Sequence, residues 1–123
     1  RLWLPWRRPS RFPFNSTLAT NTSTWIDTEY RLPAYCRAVF RAGFAERRDP
    51  ATPAVVAECL RQAGLDLAPL DRALAEGGGE RTRADVTAAR QRDIFGAPSF
   101  VVNGELFWGN ERLGSALERA WMD

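Results

Sequence analysis

The stretch Phe95–Leu113, "FGAPSFVVNGELFWGNERL", decides how the rest of the chain is read. Here the apolar pattern changes from a helical period to an alternating one. Ser99 to Val102 and Glu105 to Trp108 are short strand candidates that meet at Asn103-Gly104. A two-residue Asn-Gly link suits the type I′ hairpin turn, in which both residues take φ > 0. Pro98 stands just ahead of the first strand. Asn110, a good N-cap, follows the second and opens a helix with Leu113, Ala116, Leu117, Ala120 and Trp121 on one face. A lone hairpin is marginal in water, so this one is expected to pack on helices and on further strands.

Upstream the chain reads as mostly helical. Residues 2 to 8 are expected to form a short strand, confined by Pro5 to an edge or an end. The prolines that follow hold residues 9 to 15 extended. Residues 15 to 29 are rich in Ser, Thr and Asn, whose side chains compete for backbone hydrogen bonds, so a loop or a frayed helix is expected. From Leu32 the stripe Leu32, Tyr35, Cys36, Val39, Phe40, Gly43 and Phe44 predicts a helix stopped by Asp49-Pro50. Thr52 is the expected cap of the next helix, with Pro53 at its first position. Val55, Val56, Cys59, Leu60 and Ala63 form that helix's stripe, and Gly64 its end. A third helix runs from Leu67 to Glu76 with Asp66 as its cap. Gly77-Gly78-Gly79 reads as a flexible break. A fourth helix is expected over Glu80 to Phe95, weakly striped by Val86, Ala89 and Asp93 and closed by Gly96.

Composition narrows the function classes. The chain has 123 residues, 45% of them hydrophobic and 26% charged, as an ordinary globular domain does. A net charge of +2 is too small to argue for nucleic acid, and the arginines beyond residue 27 alternate with acids as solvated helix faces do. Arg1, Arg7, Arg8 and Arg11 have no acid among them, but Trp3, Trp6 and the prolines make that segment an irregular strand. No apolar run approaches the roughly 18 residues of a membrane span. The chain opens on Arg rather than Met, without a signal peptide, and its true beginning is expected elsewhere. A cytoplasmic location is the default expectation. Histidine is absent, which excludes Ser-His-Asp and Cys-His catalysis within the chain and argues against zinc. Cys36 and Cys59 lie on apolar helix stripes and are expected as buried reduced thiols; a disulfide stays open only if the two helices pack suitably. Two glycosylation-like triplets, at Asn15 and Asn21, are read as chance.

Three patches carry a resemblance: "RFPFNS" (11 to 16), "LPAYCRAVFRAGFAERRDPATPAVVAECLRQAGLD" (32 to 66) and "IFGAPSFVVNGELFWGNERL" (94 to 113). In this order they resemble the DsbA-like branch of the thioredoxin fold, above all the 2-hydroxychromene-2-carboxylate isomerases and the related kappa-class glutathione transferases. The resemblance implies an α/β, thioredoxin-like protein with an all-helical insertion, lacking the family's N-terminal strand-helix segment. Residues 1–14 would be a remnant of the sheet, 15–95 the helical insertion, and 96–123 the terminal strand-strand-helix. It implies that Pro98 is cis and that Ala97 offers its backbone N–H and C=O to the cysteinyl part of glutathione. Otherwise Pro98 merely begins an edge strand. Amides at Asn110 would take the γ-glutamyl carboxylate and Glu111 its ammonium, where the family more often has Ser-Asp or Gln-Asp; plain helix capping is the other reading, and both can hold. Asn15 and Arg11 would face an acidic substrate, unless Asn15 simply makes a turn or cap. Phe14 and Trp108 would line the pocket or pack in the core.

The reaction so implied is glutathione-dependent isomerisation of a small aromatic keto-acid, by thiolate addition, bond rotation and elimination. The hydroxyl or thiol that activates glutathione belongs to the segment expected to be missing, and Ser10, Ser16 and Ser99 sit in the wrong context, so no catalytic residue is expected here. A homodimer could cover the exposed sheet. Two alternatives remain open: a dithiol oxidoreductase whose Cys pair lies on that segment, and a non-catalytic helical interaction module.

Overall fold

Five helices, a hairpin and a closing helix follow one another along the chain in a computed structural model that describes residues 4–27 and 29–122. They are α1 (Thr17–Ser23), α2 (Arg31–Phe44), α3 (Pro53–Gln62), α4 (Ala68–Glu76), α5 (Gly79–Gln91), β1 (Ser99–Val102), β2 (Glu105–Trp108) and α6 (Leu113–Trp121). By internal packing the chain divides into two units, residues up to Thr82 and residues from Arg83 on. That boundary runs through α5, whereas the sequence boundaries lie at 14/15 and 95/96. None of the described helices is long and apolar enough to cross a membrane.

In the first unit α2 packs along α3, and α1 lies against α2, α3 and α4. Tyr35, Val56, Cys59 and Leu60 are all but sealed from water, with Ala38, Ala42 and Leu70 around them. Burying side chains of the Val and Leu class stabilises a fold by about 1.5–3 kcal/mol each. The Tyr35 hydroxyl donates to the Ala19 carbonyl at 2.8 Å, tying α2 to α1 inside the core. Burial, with Cys59 nearby, pushes the ionisation of Tyr35 above the ordinary tyrosine range.

Several expectations are corrected. Residues 4–8 form no strand, and residues 2 and 3 of the expected strand lie outside the described residues. Pro5 and Pro9 remove donors, and the Arg7 amide goes to the Phe44 carbonyl instead of a strand neighbour. The Ser/Thr/Asn-rich segment holds a two-turn helix, α1, because partners from elsewhere support it: Tyr35 on Ala19, and Thr82 Oγ1 donating to Asn21 Oδ1 at 3.1 Å. The apolar stripe of α2 is rotated. Ala38, Ala42 and Gly43 face the core, while Phe40 is 62% exposed.

Helix ends differ too. Helix α2 finishes at Phe44, well before Asp49-Pro50. Its carbonyls are met by the amides of Glu46 and Arg48, with Arg47 between them at φ 56°. Thr52 holds the cap position of α3, yet its hydroxyl donates back to the Asp49 carbonyl at 2.9 Å rather than capping. Helix α5 stops at Gln91, closed by Asp93 at φ 60° instead of Gly96, with Ile94 N–H on the Ala89 carbonyl. Gly64, at φ 73°, does end α3, and Asp66 does accept from the Ala68 amide at 3.0 Å at the start of α4.

Gly77-Gly78-Gly79 is not a loose break. Trp25 Nε1 donates to the Gly77 carbonyl at 3.1 Å, and the guanidiniums of Arg81 and Arg72 lie 3.9 and 5.5 Å from the Trp25 ring. Gly78 is buried, and a Cβ there would fall within 2.6 Å of Asn21 Cβ.

Candidate functional site

The hairpin forms in the expected register, with Ser99 opposite Trp108, Phe100 opposite Phe107, Val101 opposite Leu106 and Val102 opposite Glu105. Asn103 (φ 50°) and Gly104 (φ 82°) make the turn. At the open end the ladder gains one more bond, Gly109 N–H to Pro98 C=O at 2.9 Å. That bond brings the Ala97-Pro98 segment and the Gly109-Asn110-Glu111 segment to the same end of the hairpin. The Ala97–Pro98 peptide is cis, as is Phe12–Pro13. Ala97 and Pro98 are both exposed. No other described residue hydrogen-bonds the Ala97 amide or carbonyl.

Asn110 is not the N-cap of the last helix. Gly109 takes the cap position at φ 105°, and Asn110–Arg112 form a 3₁₀ turn that runs into α6. Only glycine reaches that φ without penalty, so the chain turns one residue earlier than the Asn suggests. A Cβ on Gly109 would also collide with the carboxylate of Glu111, which folds back over it. Asn110 and Glu111 are exposed, and their amides bond to no described residue.

Trp108 rests against Phe95, with ring centroids 5.2 Å apart, and against Gly96, while 51% of it stays exposed. Ser99 Oγ donates to the Gly96 carbonyl at 2.5 Å. Together these contacts fix the loop that leads into Ala97. From the sequence Phe95 and Gly96 were read only as the end of a helix, not as part of a site; the only further signal was their place beside the hairpin.

In the first unit, Asn15 Oδ1 accepts from the Thr17 amide at 2.9 Å, a local turn at the start of α1. Arg11 and Phe14 line a narrow cleft with Ser10, Arg47, Arg48 and Asp49, and Asn15 is not among its lining residues. Its free volume is about 10 Å³, room for one water. Phe14 packs on Phe44 with ring centroids 5.3 Å apart. Asp49 is engaged by the Ala51 amide at 3.0 Å, and Arg48 by Glu46 at 3.4 Å. The meeting of Arg11 with Arg47 and Arg48 had no sequence signal, since 36 and 37 positions separate them.

Neither cysteine has the character of a nucleophile. Both are free; Cys59 is buried and Cys36 half-buried. Burial pushes both thiols up, opposed by Arg37 at Cys36 and by Arg48 at Cys59. A neutral thiol is a poor attacking group. Among the described residues no cluster of three His, Cys, Asp or Glu could hold a metal.

Comparison with known proteins bears on the whole chain. A family model described as DSBA-like thioredoxin domain matches residues 2–119. The 2-hydroxychromene-2-carboxylate isomerase of Pseudomonas putida is 32% identical over 111 residues, 85% of this chain and 53% of its own length. The enzyme of the same name from Sphingobium xenophagum is 39% identical over 67 residues, 53% of this chain and 34% of its own length. A solved 2-hydroxychromene-2-carboxylate isomerase structure superposes with a TM-score of 0.77 at 29% identity, covering 97% of this chain and 58% of that one. The chain thus spans about half the length, or less, of the curated relatives it matches.

Proposed function

Because the chain belongs to the DSBA-like thioredoxin domain family, we propose that it is the glutathione-holding part of an isomerase acting on a small aromatic keto-acid of the 2-hydroxychromene-2-carboxylate type. The name shared by its relatives supports the isomerase class. The observation that carries the binding site is the open end of the hairpin. There an exposed, unpaired Ala97 backbone lies at the same end as unpaired amides and a carboxylate. These groups fit glutathione: an extended peptide segment can pair with Ala97 N–H and C=O as an added strand would. The amides of Asn110 and Glu111 suit the γ-glutamyl carboxylate, and the Glu111 carboxylate suits its ammonium. Trp108, held by Phe95, walls this end of the hairpin.

Glutathione, when bound, supplies the thiol that adds to the conjugated acid and later leaves it. Within the first unit, Arg11 offers a cation and the Asn15 amide group, with its oxygen engaged by Thr17, retains its N–H donors, groups that suit a carboxylate. The thiol also needs an activating partner. Ser99 already donates to Gly96, and both cysteines are held neutral. In this reading the activator comes from the part of the relatives' length that this chain does not span.

Thermal melting with and without glutathione tests the reading. Ligand at about a hundredfold excess over its Kd stabilises the folded state by about 2.7 kcal/mol, so Tm should climb with concentration. Glu111→Gln should weaken that response by removing the partner of the ammonium. A folded protein whose Tm ignores glutathione at any concentration overturns the proposal.

A further inference from the structure

An open groove of about 660 Å³ runs along one face of α2 in the first unit, well within the size range of small-ligand sites. Its apolar wall is made by Leu4, Trp6, Phe40 and Phe44, and Arg37 and Arg41 stand among them. Leu4, Trp6 and Phe40 are 76%, 68% and 62% exposed. Neighbouring aromatics left this open to water mark a recognition surface rather than ordinary scatter.

The charge pattern identifies the occupant. Arg37 and Arg41 are four positions apart on one helix face, and two like charges in that relation oppose each other. Arg37 has no carboxylate partner among the described residues. Arg41 has only a loose one, Glu46 at 3.7 Å, which Arg48 also approaches, at 3.4 Å. No acid lines the groove. An incoming carboxylate between the two guanidiniums would relieve that repulsion and gain charge-assisted hydrogen bonds. The geometry points to a binding site for an organic monocarboxylate with an apolar body, its carboxylate on Arg37 and Arg41 and its body on Trp6, Phe40 and Phe44. The site is read by binding alone and does not rest on the glutathione proposal.

The test uses this chain and two probes, 1-naphthoate and its uncharged counterpart 1-naphthylmethanol, titrated by calorimetry and by tryptophan fluorescence. Naphthoate should bind at one site and perturb Trp6 emission, a change lost in Trp6→Leu. The double variant Arg37→Gln/Arg41→Gln should weaken naphthoate about tenfold or more while leaving naphthylmethanol within about twofold. Phe40→Ser should weaken both probes. All four positions are exposed, so an unchanged Tm certifies the variants. Equal binding of the two probes, or indifference to the double variant, overturns the inference. So does a chain that elutes as a dimer, which Phe40→Glu converts to monomer, because the groove then holds a second copy.

Discussion

In residues 4–82, a tyrosine, a valine, a cysteine and a leucine on two neighbouring helices are almost completely withdrawn from water. In residues 83–122, only Phe107 and Ala116 among the described hydrophobic residues reach a comparable state, while Leu113, Leu117, Trp121 and Met122 are 40%, 44%, 80% and 78% exposed. The first region is held by packing. The second is held by local chemistry: a turn with two positive-φ residues, a glycine at the end of β2, and one extra ladder bond. A binding site built on the second region therefore owes its shape to backbone conformation more than to a sealed core.

The largest effect that would break this contrast is expected at Leu60. Leu60→Ala should cost about 2–5 kcal/mol in urea denaturation followed by circular dichroism, because the cavity opens where nothing can collapse into it. Tyr35→Phe should cost less, about 0.5–1.5 kcal/mol, by deleting the buried hydrogen bond to the Ala19 carbonyl. Alkali probes the same pair of helices. Tyr35 and Cys59 both have ionisation pushed up by folding, so the folded state favours their neutral forms. Their contribution is complete below the ordinary thiol and tyrosine values and declines as pH rises through the raised ones. The urea midpoint should therefore hold from neutral pH to about pH 9 and fall above it, and Tyr35→Phe should flatten the part of the fall above about pH 10. In the second region, Gly104→Ala should cost about 1–2 kcal/mol at its left-handed position, read as faster hydrogen exchange at the hairpin amides with the helical amides unchanged. Leu117→Ser should change stability by less than about 0.5 kcal/mol. A large loss there would mean that the exposed face of α6 is covered in solution.

How much was legible follows the same division. Asn103-Gly104 specified the hairpin and its register because turn chemistry is local. Pro53 and Gly64 bracketed α3 for the same reason. The helix at Thr17–Ser23 was hidden, since its residues disfavour a helix alone and its support comes from Tyr35 and Thr82, distant in sequence. Arg47 and Asp93 end helices in a conformation usually left to glycine, so neither announced itself. Periodicity found the apolar side of α2 but not its centre: the small Ala38 and Ala42 allow close approach to the core, and the larger Phe40 is left outside. Asn110 was misplaced by one residue because Gly109, not the asparagine, carries the bend. At the candidate site, Ala97, Pro98, Asn110 and Glu111 could be named from the motif, whereas the cleft shared by Arg11, Arg47 and Arg48 exists only in three dimensions.

The indole of Trp25, with two guanidiniums over its ring and its N–H on the Gly77 carbonyl, changes what a protein engineer should do with this chain. A run of three glycines is the usual place to splice in a tag, open a circular permutant or invite a protease. Here the middle glycine is buried against Asn21 and the first one accepts from the indole, so an insertion would have to break both contacts. The tip at Asn103-Gly104, exposed and bounded by its own turn, is the better point of entry.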